Sequence, residues 1–490
     1  MVAYACCFQV DALERAARAV FRSTRSTNDS RCLINRIPSE VLLTIPEYFA
    51  EHEVDRSLIA LTQICHGWRE MFISCPELWT ALSCTDIDKT RTYIQRSRSL
   101  PLEIRLGSDK VIAGAFGLVI PNVHPLKSLA VERTVPRSVF EHLRCLMPLL
   151  QKLDLDPPPW LYLRQLSNVD LSSLSELHLR CDIRPTNLRA FSFSLDRILD
   201  FLKSVPLLHT LHVSLPPQDP CDAQHEQRVK LPHLKALSII AMMSNRISLL
   251  LGRLRIPANA SITCEFRLRA GEFPLPDHLL HNLPDLSRYP TVNLLFGAGE
   301  VCTQLSGPAG RLRVLTTLGH KKDWNFLHFL GKLNPQNIER LSILGRGFDP
   351  FWWEQMGANE FFETLFSMRK LQTLRLIGYF VQRFILGLDP KEDPYRRVPC
   401  PNLRKLVICE ERLESYTVRP LVKMTRHRAA KGAELSLIKI TGFCTCDRKL
   451  TKELALLKKQ ATRPDNIVCN TDYVPFPEWD DVSGILGGEN

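Results

Sequence analysis

The chain has 490 residues, of which 45% are hydrophobic and 23% are charged. These values are ordinary for globular proteins, so the composition excludes a mainly disordered or fibrous chain. The net charge of +11, from 63 basic and 52 acidic residues, favours acidic partners or nucleic acid in general terms, but the excess is spread along the sequence. On length alone the chain could form about three domains or one long repeat array.

The N-terminal sequence does not predict a signal peptide. Asp11 and Glu14 fall where its apolar core would have to be, and we expect a flexible or short helical segment over residues 1–30. No window reaches about 18 uninterrupted apolar residues, so we expect no membrane span. The 16 cysteines are scattered among Leu and Val, as at Cys264 and Cys409, which is typical of reduced thiols used as small apolar residues. These features predict a cytoplasmic or nuclear protein.

Residues 36–79 have the apolar spacing of several short helices. Ser39 is expected to be the N-cap of the first helix. Asp55 is expected to open a second helical segment, with a break between two helices at Gly67. The apolar stripe of this second segment consists of Leu58, Leu61, Cys65, Trp68 and Phe72. Its apolar residues exceed what so small a core can bury, which predicts a docking module.

The order of these residues resembles the F-box, whose usual pattern starts with Leu-Pro-x-Glu and ends with Pro-x-Leu-Trp. The matches are Ile37-Pro38-x-Glu40-Val41-Leu42, Ile45, Leu58-Ile59-x-Leu61, Ile64-Cys65, Trp68-Arg69 and Pro76-x-Leu78-Trp79. Residues 93–102 then resemble the Arg-Ser-x-x-x-Pro-Leu passage that follows the F-box in large sets of mushroom-forming fungal proteins.

One departure from the F-box pattern falls at Pro46, where the family usually has Phe. Proline within a helix removes a hydrogen bond and costs about 3 kcal/mol. The first helix is therefore expected to end or kink near Ile45, or to restart at Pro46. Because this region touches the adaptor protein in the family, the change bears on adaptor affinity more than on the fold.

After residue 120 one phrase recurs, with two apolar residues three positions apart and a third two positions later, and it resembles the Leu-x-x-Leu-x-Leu phrase of leucine-rich repeats. The eight clear copies are Leu126/Leu129/Val131, Leu150/Leu153/Leu155, Leu174/Leu177/Leu179, Leu208/Leu211/Val213, Leu234/Leu237/Ile239, Ile338/Leu341/Ile343, Leu371/Leu374/Leu376 and Leu403/Leu406/Ile408. The number of repeats between Arg253 and Arg340 stays open. Weaker strands are expected there near 262–266, 292–296 and 312–315, and helical phrases precede copies at 139–147, 195–205 and 361–368.

Each unit is therefore expected to be a helix, a break and a strand, with its leucines in a core that neighbouring units must cover. The predicted fold is α/β. The predicted parts are a helical F-box at 31–84, a connecting segment at 85–120, an irregular leucine-rich-repeat solenoid at 121–468 with parallel strands inside and helices outside, and a tail at 469–490. Function is then expected on solvent-facing strand residues such as Lys152, Asp154, Glu176, His178, His209, His212, Arg340, Arg375, Lys405 and Val407.

No motif indicates catalysis, a cofactor or a metal. Cys444-x-Cys446 lacks the usual spacer and a second ligand pair. Gly297-Ala298-Gly299 has Cys302 where a dinucleotide loop needs its third glycine. The basic cluster at 419–431 is expected to be a solvated helix face, with a phosphate or acidic-partner patch as the alternative. No aromatic residue interleaves with it, which disfavours nucleic acid. The aromatic residues of 348–366 are expected mainly in the core, with a binding patch as the alternative.

The F-box resemblance implies a substrate-recognition subunit of an SCF-type E3 ubiquitin ligase. Its F-box would bind the adaptor subunit, and through it the cullin scaffold, while the repeats would bind an unidentified target protein and act by proximity. The residues implied for the adaptor face and the core behind it are Ile37, Pro38, Val41, Leu42, Leu58, Leu61 and Trp68. The alternative, motivated by Pro46, is a leucine-rich-repeat interaction scaffold without ligase coupling. A third hypothesis, nucleic-acid binding through the basic excess, predicts affinity that falls steeply with salt.

Overall fold

The computed structural model describes most of the chain between residues 38 and 470. The described ranges are 38–44, 54–83, 86–107, 126–132, 148–156, 169–180, 195–215, 228–267, 286–317, 330–345, 358–413, 415–444 and 467–470, with breaks of one to three residues inside some of them, and a few residues at 163, 166 and 452–457. The chain divides into two compact units, residues 1–182 and 183–490. Among the described residues, no helix has both the length and the apolar character needed to cross a membrane.

The described part of the first unit begins with three short helices, α1 (Ser39–Thr44), α2 (Val54–Ile64) and α3 (His66–Ser74), and a 3₁₀ turn at Pro76–Trp79. The N–H groups of Val41 and Leu42 both donate to the carbonyl of Pro38, at 3.0 and 3.1 Å. Pro38 is therefore the N-cap of α1, and the prediction of Ser39 was wrong by one residue.

The break between α2 and α3 falls at Cys65, not at Gly67 as predicted. Cys65 is extended (φ −153°, ψ 173°), and its Sγ accepts a hydrogen bond of 3.4 Å from the backbone N–H of Trp68. A side chain that accepts from the N–H three residues later acts as an N-cap, so α3 starts immediately after Cys65 and includes Gly67 in its first turn.

The predicted apolar stripe forms a core between α2 and α3. Leu58, Leu61, Trp68 and Phe72 are buried, and Cys65 is half-buried. The rings of Trp68 and Phe72 pack edge to face with their centroids 5.8 Å apart. Full burial of one such side chain contributes about 1.5 to 3 kcal/mol, so the stripe supplies most of the cohesion of these short helices.

The rest of the first unit is a parallel sheet with one further described helix, α4 (Ile87–Ser97), capped by the carboxylate of Asp86. The strands are β1 (Ala81–Ser83), β2 (Leu102–Leu106), β3 (Leu126–Val131), β4 (Lys152–Leu155) and β5 (Glu176–Leu179). They pair in chain order, each parallel to the next. Strand β2, inside the predicted connecting segment, thus continues the sheet of the first three repeat phrases.

The second unit alternates strands and helices. The helices with described bounds are α5 (Leu195–Lys203), α6 (Ser244–Arg253), α7 (Ala358–Ser367), α8 (Val381–Gly387) and α9 (Ser415–Ala429), with 3₁₀ turns at Leu286–Arg288 and Pro335–Asn337. Its strands are β6 (Thr210–Leu215), β7 (Val229–Lys230), β8 (Ala236–Ala241), β9 (Leu254–Arg255), β10 (Ser261–Arg267), β11 (Thr291–Phe296), β12 (Glu300–Gly307), β13 (Gly310–Thr317), β14 (Arg340–Gly345), β15 (Thr373–Ile377), β16 (Lys405–Leu413), β17 (Leu437–Cys444) and β18 (Ile467–Asn470). The two-residue strands β7 and β9 pair with each other, and the others form one sheet.

The middle of this sheet departs from the predicted all-parallel order. The strands follow the sequence β6-β8-β10-β13-β12-β11-β14-β15-β16-β17-β18, and β12 is antiparallel to both β11 and β13. The predicted strands near 262–266, 292–296 and 312–315 are confirmed, but β12 was not predicted. Residues 297–299, whose sequence lacks the third glycine of a dinucleotide loop, lie outside the described residues.

The repeat phrase corresponds to a recurring turn followed by a strand. In all eight predicted copies the last two apolar residues lie on a parallel strand, and all three apolar residues are almost fully buried. In six copies the first apolar residue donates its N–H to the carbonyl three residues earlier, as in Leu371 to Met368. In several units the carbonyl before the strand then accepts two N–H groups from the next unit; Gln372, for example, accepts from Arg404 and Lys405 at 2.9 Å each. This backbone pattern fixes the register of one unit against the next.

Two of the three predicted helical phrases are confirmed, at α5 and α7. In α5 the residues Ile198, Leu199 and Leu202 are buried, as is Val205 beyond its end. The third phrase, at 139–147, lies outside the described residues, as do residues 1–30, the aromatic residues Phe351–Trp353 and the tail after Asn470.

Candidate functional site

The helical module exposes apolar side chains beside its small core. Val41 on α1 is 53% exposed and Ile64, the last residue of α2, is 50% exposed. Pro38, the N-cap of α1, is exposed as well. Exposed aliphatic residues on a module this small are available for a partner, as the surplus of apolar residues predicted.

The residues predicted for adaptor binding divide into a surface set and a core set. Pro38 and Val41 are exposed, whereas the other described ones, namely Leu42, Leu58, Leu61 and Trp68, are buried. The buried set can shape the module but offers little surface. Ile37, Ile45 and Pro46 lie outside the described residues, and the described part of α1 ends at Thr44, so the effect of Pro46 stays a prediction.

Trp79 attaches the following segment to the module. It is fully buried, its Nε1–H donates to the carbonyl of Phe72 at 2.8 Å, and its ring packs edge to face on Tyr93 at 4.9 Å. The guanidinium of Arg96 lies 4.3 Å from the centre of the same ring, and burial lowers the pKa of Arg96. Residues from both sequence passages, 76–79 and 93–102, therefore form one packed unit around this indole.

The face of the first unit's sheet opposite the buried leucines carries charges that neutralise one another. Asp154 lies 2.9 Å from Arg180 and 3.7 Å from His178. Lys152 pairs with Glu176 at 3.5 Å, and similar pairs join Lys127 to Glu103 and Arg105 to Glu132. The face is mixed in sign, so it offers a partner no single complementary charge.

The corresponding face of the second unit's sheet differs in charge. Its residues on β14 to β17 form two rows across the strands, given by the pairing Arg340–Thr373–Lys405–Leu437 and Ser342–Arg375–Val407–Lys439. We call Arg340, Arg375, Lys405 and Lys439 the cationic strip. Each of four consecutive strands contributes one member, alternating between the two rows, and the two rows contain no acidic residue.

Exposure within this face varies. Arg340 and Lys439 are exposed, and Arg375 and Lys405 are half-buried. Val407, predicted to face solvent, is 9% exposed; because it lies between Arg375 and Lys439 in its row, its aliphatic side chain is covered. The histidines predicted to be solvent-facing, His178, His209 and His212, are half-buried.

One feature of this face was missed from the sequence. A third row, nearer the carboxyl ends of the parallel strands, is an apolar cluster made of Leu295, Cys302, Leu344 and Ile377, with Leu315 and Cys409 against it. It lies on the side of the sheet opposite Leu341 and Ile343. Consecutive apolar residues such as Ile343-Leu344 and Leu376-Ile377 were the available signal, since they place apolar side chains on both faces of a strand.

The basic helix α9 has the predicted solvated face, but one of its basic side chains is buried. Arg419, Lys423 and Arg426 are exposed at helical spacing. Arg428 is fully buried and donates to the carbonyls of Pro399 and Cys400, at 2.6 and 2.9 Å. A run of basic residues in sequence therefore has two separate roles.

The described residues include no group of three or more His, Cys, Asp or Glu side chains placed to hold a metal ion. Burial raises the pKa of the Cys264 thiol to about 12 and that of Cys400 to about 12, which makes neither a nucleophile at neutral pH.

No protein-family model matches the chain, and a search of curated proteins found no match either.

Proposed function

We propose that this chain is the substrate-recognition subunit of an SCF-type E3 ubiquitin ligase, with residues 36–79 acting as an F-box and the repeats binding a target protein. In this proposal the chain makes or breaks no bond. It brings a target close to the charged conjugating enzyme, raising the effective concentration of target lysines.

One observation carries the proposal: positions that match the F-box pattern divide into a packed core and an exposed apolar surface. Leu58, Leu61 and Trp68 are buried, whereas Val41 is more than half exposed. Exposed aliphatic residues beside a rigid core are what burial in a partner's groove requires. The parallel strands and intervening helices of both units support the accompanying proposal of an irregular leucine-rich-repeat solenoid.

Co-purification with the adaptor subunit tests the ligase proposal. The full chain is expected to retain the adaptor, and Val41→Glu is expected to abolish retention, because a carboxylate would be buried without a partner. Leu149→Glu is a matched control, since Leu149 is 50% exposed and lies outside the helical module. Equal loss in both variants would mean that Val41 has no special role.

The alternative is an interaction scaffold that has lost ligase coupling, motivated by proline at position 46. It predicts a folded protein that does not retain the adaptor, while its Pro46→Phe variant does. Retention by the unmodified chain excludes this alternative. Absence of retention by both forms, with the fold verified by circular dichroism, contradicts the proposal that residues 36–79 bind this adaptor.

A further inference from the structure

We infer that the cationic strip, Arg340, Arg375, Lys405 and Lys439, binds an extended acidic segment of a partner protein. The inference rests on the proposed function in that this segment would belong to the ligase target. The binding itself needs neither the adaptor nor the helical module, so the two can be tested separately.

Three of the four cations in the strip have uncompensated charge. Among the described residues, no carboxylate forms an ion pair with Arg340, Arg375 or Lys439, whereas the first unit's sheet pairs its cations with Glu103, Glu176 and other acids. The positions between the cations are Ser342, Thr373, Val407 and Leu437. Like charges held on neighbouring strands repel one another, so an acidic ligand gains from these three side chains.

The environment of Arg375 favours a carboxylate ligand. Its Nε atom is buried and has no hydrogen-bond partner among the described residues. The Arg375 side chain also hydrogen-bonds the half-buried thiol of Cys409; burial raises the pKa of this thiol, and the charge and hydrogen bond of Arg375 oppose that rise. Guanidinium groups favour carboxylates because they donate two parallel hydrogen bonds.

The apolar cluster lies beside the strip. One row further along the strands lies the apolar cluster, in which Leu344 and Ile377 belong to the same strands as Arg340 and Arg375. Charges next to a low-dielectric wall are screened less than charges surrounded by water. The strip is therefore a stronger site for anions than an equal number of cations on an exposed helix such as α9.

The spacing of the strip fits an extended peptide. Neighbouring strands are about 4.8 Å apart, so four strands span about 14 Å, which an extended segment of four or five residues covers at about 3.3 Å per residue. The two rows contain no aromatic side chain, so bases have nothing to stack on. Between an acidic peptide and a nucleic acid, these observations favour the peptide.

Fluorescence anisotropy with the purified full chain tests the inference. The probe is a short fluorescein-labelled peptide of alternating Glu and Ser, with the Gln and Ser peptide of equal length as its uncharged control. Only the Glu peptide is expected to bind, with an affinity that decreases as salt is added. Double charge reversal at two exposed members, Arg340→Glu with Lys439→Glu, is expected to weaken binding by about tenfold or more.

A matched control reverses two exposed charges of α9, Lys423→Glu with Arg426→Glu. It changes the net charge equally, so it is expected to alter the affinity less than about twofold. Equal weakening by both double variants would overturn the inference, since it would show attraction to net charge alone. Failure of the Glu peptide to bind the unmodified chain would overturn it as well.

Two further arms distinguish the remaining outcomes. The double variant Arg340→Gln with Lys439→Gln should also weaken peptide binding. It replaces the charge-reversal variant in the test if charge reversal disturbs the fold. A fluorescein-labelled single-stranded DNA of equal charge, if bound more tightly than the peptide and lost in the same variants, would make the strip a nucleic-acid surface and overturn the inference. If the peptide binds but the adaptor is not retained, the inference about the strip holds and the ligase proposal is rejected. If the adaptor is retained but the peptide does not bind, only the inference about the strip is rejected.

Discussion

The Nδ1 atom of His427 lies 2.7 Å from Oδ1 of Asp389 and joins the last turn of α9 to the segment that follows α8. The next residue, Arg428, donates to the carbonyls of Pro399 and Cys400 at the other end of that segment. Two consecutive residues of one helix thus hold both ends of residues 389–400. The described residues of this segment contain no helix or strand, so these contacts help to fix its path to β16.

Replacing Asp389 by alanine is expected to lower the free energy of unfolding by about 1 to 3 kcal/mol, because a half-buried imidazole loses its acceptor. The carboxylate also accepts from the backbone N–H of Lys391 at 3.0 Å, which adds to the loss. Urea denaturation measures the change. Asp200→Ala is the matched control, since Asp200 pairs with Lys203 in solvent and its loss should cost less than about 1 kcal/mol. Equal costs would show that the pair with His427 is no more than a surface contact.

Replacing Arg428 by methionine is expected to cost about 2 to 5 kcal/mol, because the carbonyls of Pro399 and Cys400 lose their donors while staying buried. Arg428→Lys is expected to recover little, since one ammonium group cannot reproduce the geometry of a guanidinium that bonds two carbonyls. Arg426→Met, two residues earlier and exposed, should change stability by less than about 0.5 kcal/mol. Thermal unfolding of the three variants compares them, and recovery by lysine would argue that charge alone is needed.

Two glycines are expected to respond to alanine in opposite directions. Gly67 lies in the first turn of α3 with open space around an added Cβ, so Gly67→Ala should stabilise the chain by about 0.4 to 1 kcal/mol. Gly378 has φ +112°, and a Cβ there would collide with the carbonyl oxygen of Gly345 on β14, so Gly378→Ala should destabilise it. Denaturant midpoints at constant slope measure both. A destabilised Gly67→Ala variant would contradict the helical conformation assigned to this residue.

The sequence predicted the repeat strands well because their signal is local and strong. A phrase such as Leu371/Leu374/Leu376 combines a turn with two inward-pointing residues on one strand, and any unit of this kind must bury all three. The helical spacing of apolar residues from Leu58 to Phe72 is local in the same way, and it predicts their packed stripe. Helix ends were less certain, since an N-cap by Pro38 or by the Sγ of Cys65 depends on backbone angles that residue type does not fix.

Long-range features were beyond the sequence. The antiparallel strand β12 places β13 beside β10, and no residue of Glu300–Gly307 reveals which neighbour it pairs with. The sequence does not predict the cationic strip either. Arg340, Arg375 and Lys439 are far apart in sequence, and only the register of β14 to β17 brings them onto one face. In the sequence Arg428 is one more member of a basic run, and only the structure shows that its side chain is buried.

The stability of the second unit is expected to fall at alkaline pH because of the thiol of Cys264. Burial raises its pKa from an ordinary value of 9.0 to about 12, so the folded state binds its proton more tightly than the unfolded state does. The stabilising contribution is complete below about pH 9 and is lost as the pH rises from there toward 12. Cys264→Ala should remove this contribution of the thiol. The free energy of unfolding of the variant should therefore fall less steeply with pH, by up to about 1.4 kcal/mol per pH unit.

The matched control for this slope is Val314→Ala, because Val314 pairs directly with Cys264 on the neighbouring strand and is equally buried. It leaves a cavity but removes no ionisable group, so it should lower the free energy of unfolding by a similar amount at every pH. Guanidinium titrations at several pH values between neutral and alkaline give the slopes of the three proteins. If Cys264→Ala and the unmodified chain have the same slope, then ionisation of this thiol is not coupled to unfolding, and another group must account for any alkaline loss.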